Sequence, residues 1–429
     1  MKSKFIKSTF ILMIGGLLTK IFSMVIKIVL TRNIGTKGVS LYMLVLPTFN
    51  LFITLCTLSL PVAISKLVAE NKRSKIVILS IIPPSLIYNI LLMLLLIILS
   101  PFISNYLLKN EMVKYPIMAI SFTLPIICLS GILKGYFFGH QRMGPYVLEN
   151  VCEQIVRLLF IMIFIPTIIK KSLVMAITSL VLINIVSESI AVIIMLFFIP
   201  NKRINISDFK MDKNINKDIL NISIPTTGSR LIGSISYFLE PILITYALIK
   251  SGYGLDYITL EYGVVTGYVY PLLLLPSFFT MAISTSLLPV ITNYYSTKKY
   301  TLVKKRLRES ICLSLLVGIV STSIFMLIPG ILLKFLYNTN LGINYIKIIA
   351  PFFLIHYIQG PLTTYLTDID KANIAMRGTL VGAIIKNITL VVLALLKTGI
   401  WCLIISTLIN IIYITIQHLY FTVKYSKSF

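Results

Sequence analysis

Acidic residues are scarce in this chain: 14 Asp and Glu stand against 39 Lys and Arg over 429 residues. Carboxylate clusters in sizeable loops, the usual means of holding metals for sugar or phosphate chemistry, are therefore not to be expected. Histidine is rarer still, and His140, His356 and His418 form no H-E-x-x-H array, so metal catalysis has no support and no metal site is expected. The five cysteines (Cys56, Cys128, Cys152, Cys312 and Cys402) are scattered without a C-x-x-C pair. They read as small apolar core residues rather than disulfides or metal ligands. There is no G-x-x-x-x-G-K-[ST] loop, so whatever work the chain does is not fuelled by its own nucleotide hydrolysis. Long polar stretches are lacking too. The longest, 201–218, is too short for a soluble domain, which takes at least ~50 residues.

What is present is apolar sequence, 57% of the chain. Soluble domains run near 45–50%, and a spanning helix needs about 20 largely apolar residues. About twelve segments meet that need: 5–31, 40–63, 76–108, 115–138, 146–166, 173–200, 219–249, 260–290, 307–337, 343–366, 373–396 and 399–424. The fold class expected is all-α and polytopic. The first apolar run is longer than a signal-peptide core of 7–15 residues and lacks a small-residue cleavage site, so it is expected to be a retained helix.

A net charge of +25 would suggest nucleic acid in a soluble chain. Here the cations alternate loop by loop. Rich clusters (Lys2, Lys4 and Lys7; Lys66, Lys72, Arg73 and Lys75; Lys202 to Lys217; Lys298 to Arg308) alternate with loops holding one or two. By the positive-inside rule the richer side is cytoplasmic, which puts both termini inside the cell membrane. The cations are topology signals and contacts for anionic lipid headgroups, and no nucleic-acid partner is expected.

The chain also repeats itself. A shift of roughly 228 residues brings Leu46-Pro47 and Leu60-Pro61 onto Leu275-Pro276 and Leu288-Pro289, and Pro101 onto Pro329. The run Gly131 to Tyr136 falls on Gly360 to Tyr365, and Arg157 on Lys386. Six segments per half keep the two halves in one orientation, a parallel repeat of the kind that holds its substrate near the midplane. The expected division is an N-terminal six-helix lobe (1–200), a cytoplasmic linker (201–218) and a C-terminal six-helix lobe (219–429).

Charges inside apolar segments are the candidates for function, since each costs several kcal/mol unless it meets a polar interior. Lys20 and Lys27 are seven apart, about 700° of helical rotation, so they share a face with Gly16 and Ser23. That face suits a wet, cationic cavity for an anion. In the seventh segment Thr226, Arg230, Gly233, Ser234 and Tyr237 make an equivalent polar face, either lining the cavity or packing closely through small residues. Glu240 lies about 80° away from Arg230 around the helix and need not be its partner. Glu149, Glu153 and Arg157 stack at i, i+4 and i+8, as a gating element or as a self-neutralised structural pair. Lys386 has Gly378 and Gly382 where its repeat mate has acids, so it must find a partner elsewhere or face water. Glu188, between Ser187 and Ser189, could bind a proton or Na⁺, or pair with a basic residue. Prolines 83, 84, 125, 271 and 276 permit hinging within segments.

Several stretches resemble the stage V sporulation protein B family: Thr19-Lys20, Lys27 to Gly35, Gly38 to Tyr42 and Leu60 to Glu70. Further matches are Gly135-Tyr136, Gly139 to Gln141, Met143 to Pro145, Glu153 to Arg157, Ile224-Pro225, Gly228 to Arg230 and Tyr262-Gly263. That family belongs to the multidrug/oligosaccharidyl-lipid/polysaccharide exporter superfamily, close to the lipid II flippases. The resemblance implies a two-lobed bundle that moves lipid-linked, pyrophosphate-bearing precursors outward, with the cavity cations of the first helix at Lys20, Lys27 and Arg32. Lysine stands at the first two positions where arginine is usual, which keeps the charge and loses the bidentate fork. Relatives carry two further helices, which in the lipid II flippases form a groove associated with the lipid tail.

The expectation is thus a flippase for an undecaprenyl-pyrophosphate-linked saccharide, a cell-wall or spore-cortex precursor, working by alternating access and not an enzyme. Its substrate contacts would be Lys20, Lys27, Arg32, Arg230 and Lys386, with Glu153, Arg157, Glu188 and Glu240 in gating or coupling. No cofactor is expected; H⁺, Na⁺ or the membrane potential would drive it, and wall-synthesis proteins are candidate partners beside the lipid. A drug/cation antiporter of the same fold would use acids on the first or seventh helix, where this chain is basic. A polyprenyl-phosphate glycosyltransferase would need the missing acidic loops. A non-transporting wall-assembly factor is the remaining alternative.

Overall fold

The protein is described by a computed structural model covering residues 2–70, 74–199, 212–369 and 371–427. Those residues are almost entirely helical and include no strand. Apolar backbone surroundings leave a chain few choices, because every N–H and C=O must find its partner within the segment. The hydroxyls follow the same rule: Thr19, Ser23, Thr54, Thr57 and Thr178 each donate to the carbonyl four residues earlier.

The chain falls into two compact units, Met1–Phe238 and Leu239–Phe429. The first unit holds α1 (Lys2–Thr57), α2 (Leu60–Glu70), α3 (Ser74–Phe102), α4 (Lys114–Gly139), α5 (Met143–Ile163), α6 (Ile165–Ile168), α7 (Leu173–Phe197) and the first part of α8 (Lys213–Lys250). Helix α4 is its most enclosed span. It packs against α1, α2, α3 and α7, while α5 packs against α1 and α7. The approach of α2 to α4 is set by glycine: a Cβ at Gly135 would lie 2.9 Å from the carbonyl oxygen of Pro61. Small residues at four-residue spacing let membrane helices meet backbone to backbone.

The second unit takes the rest of α8, then α9 (Leu255–Val264), α10 (Tyr270–Leu274), α11 (Ser277–Ser296), α12 (Tyr300–Leu327), α13 (Pro329–Tyr337), α14 (Ile343–Tyr357), α15 (Gln359–Asp368), α16 (Ala372–Leu395) and α17 (Trp401–Lys427). Helix α17 packs against α14, α15 and α16, and α11 against α12 and α15. Buried tyrosines anchor the unit, with the Tyr357 hydroxyl donating to the Leu273 carbonyl at 2.6 Å.

Among the described residues nine helices are long and apolar enough to span a bilayer, ten if the bent pair Leu255–Leu274 and Ser277–Ser284 counts as one span. Two differences separate this from the twelve expected segments. Segments 5–31 and 40–63 run on through α1, kinked at Gly35, and the second passes into α2 after a turn at Leu58 and Ser59. Segment 343–366 is divided at Ile358 into α14 and α15, each too short to cross alone. Pro361, which cannot donate to the Tyr357 carbonyl, lies just beyond that division. The expected linker falls largely on residues outside the described set. The contacts place the division further on, inside α8, because the start of that helix is fastened to α1 and α3. The Asp212 N–H donates to the Ser80 hydroxyl at 2.7 Å, and the hydroxyls of Ser234 and Thr54 are 2.7 Å apart.

Other breaks have local causes. Pro101 leaves the Ile97 carbonyl without its helical donor, the Ser100 hydroxyl takes the place at 2.9 Å, and one π-helical turn follows at Ile103–Leu107. Gly35, at φ 65° and ψ 177°, occupies a backbone region open to glycine alone. Gly35→Ala should therefore destabilise the purified protein by about 1–3 kcal/mol, seen as a lowered melting temperature in detergent. Gly16→Ala, with no atom within 4 Å of the added methyl, should leave it unchanged. Equal melting temperatures would remove the strain from this account.

Candidate functional site

Two neighbouring cavities lie inside the first unit. One, of about 310 Å³, is lined by Ser23, Lys27, Tyr42, Gln154, Arg157 and Asn184 among apolar side chains. The other, of about 350 Å³, is lined by Thr57, Lys134, Arg157, Asn184, Glu188 and Arg230, again with apolar neighbours. Phe49, Arg157 and Asn184 belong to both walls. The break at Gly35 makes the first cavity possible, since residues 23–30 before it and 42–49 after it line the same space.

The cations of these cavities differ in their partners. Arg157 donates through one nitrogen, Nη2, to Glu153 Oε1 at 2.6 Å and to Asn184 Oδ1 at 2.8 Å. Its Nε–H is buried and has no hydrogen-bond partner. Lys134 lies 3.6 Å from Glu149 Oε1 and 3.9 Å from Glu188 Oε2. Lys27 and Arg230 make neither a hydrogen bond nor an ion pair among the described residues; Lys27 is half-buried and Arg230 exposed. Two unneutralised cations, with an arginine that keeps an unused donor, make a wall suited to a polyanion. A guanidinium adds geometric recognition of phosphate, and an ammonium adds a point charge.

The remaining expected site residues stand elsewhere. Lys20 and Arg32 are exposed and line neither cavity. The shared face of the first helix is thus divided: Ser23 and Lys27 turn to the cavity, while Lys20, two turns earlier than Lys27, stays outside it. Lys386 and Glu240 meet in the second unit as an ion pair, and Glu240 also accepts from the Tyr262 hydroxyl at 3.3 Å. Lys386 is therefore neutralised by an acid of α8 rather than left open to an anion. Glu188, isolated in sequence, sits beside Lys134. Lys134 lies within the run Gly131 to Tyr136 and carries the signal that singles out Lys20 and Lys27, a charge in the middle of an apolar segment. Tyr42, Gln154 and Asn184 carry no comparable signal, because only the folding of α1, α5 and α7 brings them to one wall.

These features define a polytopic all-α membrane protein, and its fold is that of the MATE transporters. The chain is similar to the inward-facing structure of a multidrug resistance MATE family transporter of the MOP superfamily, with TM-score 0.71 and 15% identity over 96% of this chain and 95% of that one. The chain belongs to the polysaccharide biosynthesis protein family, whose sequence profile matches residues 5–295. A MatE profile matches residues 265–393. Stage V sporulation protein B of Bacillus subtilis (strain 168) is 35% identical over 92% of this chain and 78% of its own length. The lipid II flippase MurJ of the same organism is 22% identical over 90% and 76%.

The Glu240–Lys386 pair invites a direct test. Lys386→Met leaves a carboxylate that is 4% exposed without its cation and should cost about 3–5 kcal/mol. The double variant Glu240→Leu/Lys386→Met should recover most of that loss in thermal denaturation. A single variant as stable as the parent would mean that the pair contributes nothing to the fold.

Proposed function

We propose that the protein is a flippase carrying an undecaprenyl-pyrophosphate-linked saccharide, a cell-wall or spore-cortex precursor, from the inner to the outer leaflet. The observation that carries this reading is the pair of unneutralised cations, Lys27 and Arg230, in adjoining cavities that share Arg157. A pyrophosphate crossing hydrocarbon bare would meet a prohibitive desolvation penalty. A cationic wall with arginine donors replaces the lost hydration. The relatives supply the chemistry of the cargo: one is named for a lipid-linked wall precursor and another for sporulation. The same polarity disfavours cationic drugs.

The reading places the protein in the cell membrane with both termini in the cytoplasm, on the side of its basic loops. Its partners are the lipid-linked saccharide, the surrounding lipids and, at the outer face, wall-synthesis proteins that consume the delivered precursor. Net movement of a polyanion outward is coupled to an ion gradient or to the membrane potential.

Complementation of a strain lacking its wall-precursor flippase tests the proposal. Lys27→Ala and Arg230→Ala should abolish growth at normal membrane abundance, whereas Lys27→Arg should retain it. Lys20→Ala, outside both cavities, should grow as the parent does. Normal growth of Lys27→Ala would overturn the assignment of this cavity to the anion.

A further inference from the structure

The chain has a single tryptophan, Trp401, and the fold of the second unit surrounds it with tyrosines. Three connections meet there: the turn from α8 into α9, the start of α14, and the turn at 397–400 that leads into α17. The rings of Tyr253 and Tyr257 stack at 5.2 Å, and Trp401 packs edge-on against Tyr345 at 5.3 Å. Tyr253, Tyr257 and Tyr345 each use the hydroxyl on the protein itself. Tyr253 donates to the Lys397 carbonyl at 2.6 Å, Tyr257 accepts from the Ile400 N–H at 3.4 Å, and Tyr345 donates to Glu261 Oε2 at 2.7 Å. Gly399, at φ 61°, admits the first two, since a Cβ there would lie 2.7 Å from the Tyr257 hydroxyl. Aromatic residues that anchor a protein at a membrane interface turn the polar tip to the headgroups. Here the tyrosine tips are turned inward and ring surface is left outside, with Tyr257 37% exposed.

We propose that this cluster is a saccharide-binding site on the outer side of the second unit, and that it takes the pyranose rings of the cargo. A pyranose presents a face of weakly positive C–H bonds and a rim of hydroxyls. Aromatic faces are electron-rich and receive the first; the second needs a few convergent donors and acceptors. Both kinds stay open among the described residues. The Trp401 indole N–H has no hydrogen-bond partner, and Glu261 Oε1 has none while Oε2 holds Tyr345. Asp256, Asn344 and Lys397, adjacent to the cluster in sequence or by contact, are exposed. The rings are fixed before anything binds, so little ordering opposes association. A lipid chain would leave the indole donor and the carboxylate unmatched, whereas a saccharide satisfies both. The side follows from topology: with α8 starting in the cytoplasm, its Lys250 end, the α13–α14 connection and the 397–400 turn all lie outside. The assignment to the cargo rests on the export reading given above; the saccharide site rests on the cluster alone.

Trp401, the sole tryptophan, reports on the site directly. Titrating the full chain with chitotetraose, a chain of N-acetylated pyranoses, should shift the tryptophan emission saturably in a detergent without a sugar headgroup. Tyr257→Leu, which removes a ring, and Glu261→Gln, which keeps the volume and an acceptor for Tyr345, should each weaken binding by about fivefold or more. Lys27→Ala, in the first unit, should bind as the parent does. Strong quenching of Trp401 by vesicles of brominated phospholipid, with no response to chitotetraose, would mark a membrane anchor and overturn the site. An emission change that persists undiminished in both Tyr257→Leu and Glu261→Gln would overturn it as well. In the strain lacking its wall-precursor flippase, Tyr257→Leu should slow growth at normal membrane abundance; parental growth with sugar binding lost would overturn the assignment to the cargo. No chitotetraose response in the parent, with growth still abolished by Lys27→Ala, would remove the saccharide site and leave the export reading standing. Chitotetraose binding with normal growth of Lys27→Ala would uphold the site and overturn its link to an exported cargo.

Discussion

A charge inside a membrane-spanning bundle must be met by an opposite charge, by hydrogen bonds or by water, and the arrangement of this protein follows from how each cation meets that demand. Arg157 is held by an acid one turn earlier on its own helix and by an amide on α7. Lys134 is held between α5 and α7. Lys386 is held by an acid on α8. Lys27 and Arg230 have no such partner among the described residues, and both line cavities. The unpaired pair is informative because the alternatives were so plainly used elsewhere. Leaving a cation unmatched in a spanning helix is costly unless a ligand or water takes the role of counter-ion.

Backbone constraints place those charges. Long apolar helices satisfy their own hydrogen bonds, so direction changes are confined to residues that relieve a specific bond. Gly35 adopts angles closed to other residues and turns the second half of α1 onto the cavity that the first half began. Pro101 and Pro361 remove donors at the ends of α3 and α14, and Ser100 repairs one of the gaps. The glycine at 135 draws α2 against α4, on the same helix that presents Lys134 to the two acids.

The two units treat cations at sequence-matched positions differently. Arg157 and Lys386 occupy matching places in sequence, yet one is paired within its helix and remains on a cavity wall, while the other is neutralised from α8 within its own unit.

The sequence by itself determined that the chain spans the membrane many times, which residues break its helices, and that cations are placed where hydrocarbon should be. These are properties of apolar run length, of the amide bond and of charge, and they need no neighbours. It also singled out Lys27, Arg157 and Arg230, which line the cavities of the first unit, while giving Lys20 equal weight because helical phase says which residues share a face but not how far along that face a cavity extends. Partners across helices were decided only by the tertiary structure. The pairing of Lys386 with Glu240, of Lys134 with Glu149 and Glu188, and the meeting of Tyr42 with Asn184 on one wall each join residues far apart in sequence. Helical periodicity holds no information about which face of another helix will arrive opposite, and in this protein that choice separates a paired cation from one that lines a cavity.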